Sequence, residues 1–126
     1  MLLLKAVETN WGLIGPGEWE RRSWKIQSDG TYRLKTTYRP VDPDETETPE
    51  VIDERALYDE QLEFLKEQIE TPWSNEKPDA CDGTAWEFKL YDEHESVIRH
   101  REPGYIDGVE PFAGIAAMLL EELPKE

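Results

Sequence analysis

The sequence predicts an α+β fold: an antiparallel sheet of about five strands with two amphipathic helices on one face. Three observations predict it. Apolar and polar residues alternate on both sides of Asp29-Gly30. They alternate again across residues 84–91, and two further stretches place apolar residues three and four positions apart.

The first hairpin spans residues 24–36, and its register can be argued from its side chains. A two-residue Asp29-Gly30 turn sets Ile26 opposite Arg33 and mixes the faces. A three-residue loop, Ser28-Asp29-Gly30, sets Ile26 opposite Tyr32 and Trp24 opposite Leu34. Opposed residues share a face, so the second choice gives one apolar side. Gly30 then takes the left-handed position that closes a bulged turn. The other side becomes a basic stripe of Lys25, Arg33, Lys35 and Arg39, with Arg21 and Arg22 nearby.

A mobile acidic loop is expected at about residues 40–50. Residues 51–58 are open between strand and helix, because Val51, Arg55 and Tyr58 make a poor helical stripe, and a short third strand is favoured. Residues 60–70 read as a helix, with Leu62, Leu65 and Ile69 on one side, Asp59 as N-cap and Pro72 beyond the end. Residues 84–91 turn Trp86, Phe88 and Leu90 inward. A three-residue loop of Asp92, Glu93 and His94 would set Ile98 opposite Phe88 and Glu87 opposite Arg99 on the return strand, 95–101. Residues 110–123 close the chain as a helix with Pro111 in its first turn and Pro124 as its stop. Its apolar face carries Phe112, Ile115, Leu119 and Leu123, widened by Ala116 and Leu120. Asp29-Gly30-Thr31 and Asp82-Gly83-Thr84 lie 53 residues apart, each before a strand pair and a helix. Two ββα units would produce that echo; so would the plain frequency of Asp-Gly in turns.

At 126 residues the chain is read as a single domain, 1–126, able to bury its own core. Only 37% of residues are hydrophobic, yet thirteen aromatics, five of them Trp, supply large buried areas and exclude disorder of the whole chain. One cysteine, Cys81, leaves no partner for an intramolecular disulfide and fits a reducing compartment. Residues 1–5 are too short for a signal h-region, and no run approaches the roughly 18 apolar residues of a membrane helix. A cytoplasmic protein with no membrane partner is expected.

The net charge of −15 is unevenly spread. Residues 1–41 carry seven Lys/Arg against four Asp/Glu, residues 42–82 three against fifteen, and residues 83–126 four against ten. Charge of that size governs partners and solubility.

Catalytic signatures are lacking. His94 sits between carboxylates in a hairpin loop, and His100 can face Trp86 or Glu87. Neither has a Ser or Cys partner at a meaningful spacing. Asp79 and Asp82 flank Cys81 and would raise the thiol pKa, the reverse of nucleophile activation. The acidic loop lacks the sixth-position Gly and twelfth-position Glu of an EF-hand, and phosphate-loop and dinucleotide fingerprints are missing, so neither metal nor cofactor is expected. Nucleic acid is not expected either. The register puts aromatics and cations on opposite faces, and stacking platforms need them together. The net charge also opposes a polyanion, so the basic stripe reads as a counterweight to the acidic half.

The function favoured by these features is a non-enzymatic protein-binding module, monomer or homodimer. Asp42, Asp44, Glu45, Glu47 and Glu50 would meet a basic partner, as acidic inhibitors and immunity proteins do by charge. The alternative is a small hydrolase or ligand-binding protein with a carboxylate-lined cleft near Asp82, Tyr105, Asp107 and Glu110. Trp11, Trp19, Trp73 and Tyr105 either cap the core or mark an interaction surface.

Overall fold

The strand missing from that reading is the central one. The computed structural model describes residues 1–10, 17–40, 50–74, 84–106 and 108–121, and its first element is strand β1, Leu2–Asn10. On one side β1 pairs with β2 (Trp19–Gln27), which continues through β3 (Thr31–Tyr38) to β4 (Glu50–Ala56). On the other side it pairs with β5 (Thr84–Tyr91), followed by β6 (Val97–Gly104). The described residues therefore form a six-stranded antiparallel sheet of order β4-β3-β2-β1-β5-β6, one strand more than expected. Helix α1 (Asp59–Glu70) follows β4 and helix α2 (Phe112–Glu121) follows β6, so each outer hairpin is succeeded by a helix.

The first hairpin has the register its side chains dictate. Ile26 lies opposite Tyr32 and Trp24 opposite Leu34, and Gly30 adopts φ +94°. Asp29 fixes the turn by accepting from the Thr31 N–H (3.0 Å) and hydroxyl (2.7 Å), and those bonds lower its pKa. Gly30 is buried, and a Cβ there would stand 3.4 Å from Leu62 of α1. Residues 50–56 are a strand, as favoured. The Asp42–Glu47 stretch lies outside the described residues, as do Trp11, Cys81 to Gly83, Asp107 and Leu123.

Three local expectations are corrected. Helix α1 begins after Tyr58, not Asp59: the Gln61 side chain accepts the Tyr58 backbone N–H at 2.8 Å, and Asp59 joins the acidic first turn. In the second hairpin the loop is five residues, because Asp92 Oδ1 accepts the backbone N–H of both His94 (2.8 Å) and Ser96 (3.0 Å). A register shift beside Tyr91 then puts Arg101, not Ile98, opposite Phe88, and leaves Ile98 exposed. Arg99 does not face Glu87; its guanidinium donates to the Ile69 and Thr71 carbonyls at the end of α1. On α2 the buried stripe holds Met118, while Leu120 is exposed.

One face of the sheet and both helices share a single core. Leu4, Ala6, Trp24, Ile26, Tyr32, Leu34, Trp86, Phe88 and Leu90 meet Leu65 and Ile69 of α1 and Phe112, Ile115 and Leu119 of α2. Trp24 stacks on Trp86 (5.3 Å between centroids), Trp86 on Phe88 (5.7 Å) and Phe88 on Phe112 (5.0 Å). Trp73, beyond α1, meets Phe112 edge-on at 5.3 Å and so caps the core. Among the described residues no helix is long and apolar enough to cross a membrane.

Candidate functional site

The opposite face of the sheet carries no helix among the described elements, and its rows of side chains are set by strand register. One row crosses all six strands: Glu54, Arg33, Lys25, Lys5, Lys89 and His100 stand directly opposite one another in turn. Its four central members are cations. Cross-strand neighbours lie roughly 5 Å apart at Cβ, where like charges destabilise the pair. Lys5 is the most crowded: partial burial first, then Lys25, Lys89 and Arg21, push its pKa down against the opposing pull of Glu87.

The adjoining row reads Ile52, Lys35, Ser23, Val7 and Glu87, and the next contains Glu50, Thr37, Arg21 and Thr9. Together the rows form a trough of about 330 Å³ over the middle strands. Lys5, Arg21, Lys25, Arg33 and Lys35 line it with the hydroxyls of Ser23 and Thr37, and among the described residues its lining includes no carboxylate. Carboxylates stand at the lateral margins instead. Arg33 pairs with Glu54 at 2.7 Å, Lys35 with Glu50 at 3.1 Å, and His100 Nε2 lies 2.8 Å from Glu87 Oε2. Arg39, the remaining member of the expected stripe, follows the end of β3, where its N–H donates to the Glu18 carbonyl at 2.8 Å.

The counterweight reading thus describes the edge of the sheet and not its centre. Glu50 and Glu54 answer Lys35 and Arg33, whereas Arg21, Lys25, Lys5 and Lys89 have no ion pair among the described residues.

The acidic side lies on the other layer. Helix α1 buries Leu65 and Ile69 and exposes Asp59, Glu60, Glu63, Glu67 and Glu70, with Lys66 as the single exposed cation among them. Of the residues expected to bind a basic partner, Asp42, Asp44, Glu45 and Glu47 lie outside the described residues, and Glu50 opens β4. Of the alternative cleft, Asp82 and Asp107 lie outside them too. Tyr105 lends its carbonyl to Arg101 (3.1 Å), and Glu110 accepts the N–H of Gly114 (3.3 Å) near the start of α2. His94 is exposed in the 92–96 loop, and His100 takes the outward option, beside Glu87. No group of three or more His, Cys, Asp or Glu among the described residues is placed to hold a metal ion.

Two charged residues are buried on the covered face, and sequence reasoning missed both. Glu8, with its side chain 4% exposed, faces the Arg22 guanidinium at 3.6 Å, too long for a hydrogen bond. Burial raises its pKa, opposed by Arg22 and by a hydrogen bond with Thr84. Arg22 in turn lies 3.7 Å over the Trp19 ring. Arg101 is fully buried and donates to the carbonyls of Glu102 and Tyr105. Burial lowers its pKa. Its guanidinium stands 5.4 Å from the centre of the Phe112 ring. Arg101 thus ties β6 to the residues that follow it and brings its cation to Phe112 of α2.

No known protein family, curated protein or solved structure matches this chain.

Proposed function

We propose that this protein is a non-enzymatic binding module of the cell interior that engages a basic protein through its acidic layer. The observation that carries the reading is the exposed side of α1, where five carboxylates stand against one lysine. The Asp42–Glu47 segment, which leads into β4, adds four more carboxylates to the same stretch of chain. A surface of one sign speeds encounter with a partner of the other sign and rejects like-charged competitors. An acidic protein that masks a basic enzyme, in the manner of a nuclease inhibitor, is the behaviour such a surface serves.

The experiment is a pull-down on tagged protein at low and high salt, run beside two variants. One neutralises Asp42, Asp44, Glu45 and Glu47; the other carries E60Q, E63Q and E67Q. The expected result is a basic protein retained at low salt, released by high salt and lost from at least one variant. Partners unchanged in both variants would sink the proposal. Light scattering on the same samples distinguishes a monomer from a homodimer.

A further inference from the structure

The open face of the sheet is the second functional feature of this molecule, and it lies on the layer opposite α1. Four cations in one cross-strand row, with Arg21 in the trough beside them, are an arrangement that folding alone does not favour. Cost retained without structural return marks a site. We propose that the trough over β1, β2 and β3 binds a compact small molecule carrying two or more phosphate groups.

Charge density selects the ligand class. Five cations line about 330 Å³, within the range of small-molecule sites. A carboxylate delivers one negative charge, whereas a phosphate delivers about two with three acceptor oxygens. Two phosphates would therefore answer Lys5, Lys25, Arg21 and one margin cation, and Arg21 offers the planar fork that phosphate oxygens accept. The Ser23 and Thr37 hydroxyls supply neutral donors between the charges. Val7 on the floor and Ile52 at the side, 49% exposed, give an apolar strip for the non-phosphate part.

The same geometry favours a compact ligand over a nucleic-acid strand. Glu50 and Glu54 on one side and Glu87 on the other meet any polyanion laid across the sheet. Trp24, Trp86 and Phe88, the rings a base would stack on, are buried on the far face.

Inorganic tripolyphosphate is the probe, titrated calorimetrically into the whole chain at low ionic strength. The expected result is saturable binding that weakens as salt is added, with a rise in melting temperature. The double variant K5Q/K25Q should bind about tenfold or more weakly, the loss of a charge-assisted contact or two. It should still melt no lower than wild type, because repulsion is removed with the charges. R21Q should weaken binding independently, and K66Q on α1 should leave it unchanged. Absence of saturable binding, or equal binding by K5Q/K25Q, overturns the proposal. So does a single-stranded oligonucleotide whose affinity grows with its length and which tripolyphosphate fails to displace. Because the probe acts on the sheet face and the acidic-layer variants lie elsewhere, each reading can fail alone.

Discussion

The two faces of this sheet are made from alternate residues of the same strands, and they meet opposite demands. On the covered face, Trp24, Trp86 and Phe88 run into Phe112 of α2 as a continuous stack of rings. On the open face, one residue along, Lys25, Lys5 and Lys89 stand side by side. The first arrangement is what burial rewards, since each aromatic side chain removes a large apolar area from water. The second carries unfavourable terms, partly relieved by solvent and salt. Stability therefore resides in one face, and the other is left free to carry a property that stability does not select.

The comparison breaks most visibly if the ring stack is opened. Trp24 is fully buried and central to it. Trp24→Ala is expected to cost about 3–5 kcal/mol, in the range for a large aromatic deleted from a core, as measured by urea unfolding. A cost below about 1 kcal/mol would mean that the rings collapse into the space, and that the covered face is not the seat of stability.

The covered face also holds Glu8 beside the rings, and the open face holds Val7 among the cations. Glu8 predicts a pH effect whose sign can be worked out. Its folded pKa is raised above the ordinary 4.5. Between those two values the folded chain holds a proton that the unfolded chain has released. Stability contributed by the protonated form is thus complete below 4.5 and is lost as pH climbs through the raised value. The difference in unfolding free energy between wild type and E8Q should therefore move against wild type across that window. A difference that stays flat would place Glu8 in a better-solvated setting than its burial implies.

Val7 and Glu8 also explain what the sequence hid. The hairpin of β2 and β3 was legible because Trp24, Ile26, Tyr32 and Leu34 alternate cleanly with charged residues, and a single register puts them together. In β1 the alternation inverts: Val7 faces the open side and Glu8 the covered one, so the central strand does not read as half-buried. The second hairpin misled for another reason. Asp92 organises a longer loop through its own side chain, and a shift beside Tyr91 moves every later pairing. Part of the candidate site was visible as a basic stripe on one hairpin. Its completion by Lys5 and Lys89 was not, since those two residues lie on β1 and β5, far apart in sequence and adjacent only through the strand order.

Lys5 sharpens the contrast in the opposite direction from Trp24, because removing it should help. K5Q takes out the lysine that faces Lys25 on one side and Lys89 on the other, and is expected to stabilise by about 0.5 kcal/mol. The gain should shrink at high salt, as repulsion between partly exposed charges is screened. It should also shrink as pH rises. With its folded pKa held below 10.5, Lys5 sheds its proton in the folded chain before the unfolded one, so wild-type stability recovers through that window. A destabilised K5Q would show that the lysine stem contributes more by packing than its charge costs.

The smallest effect belongs to the margin of the open face, where the charges are answered. Arg33 and Glu54 meet at 2.7 Å on exposed positions, each more than half accessible. Such pairs contribute little, so E54Q is expected to cost at most about 0.5 kcal/mol in urea unfolding. The informative quantity is its coupling to K25Q. Freed from Glu54, Arg33 would add its full charge to the row beside Lys25. In a double-mutant cycle K25Q should then stabilise more in the E54Q background than in wild type. Simple additivity would mean that the margin carboxylates do not temper the central cations, and that the two parts of the open face are electrically independent.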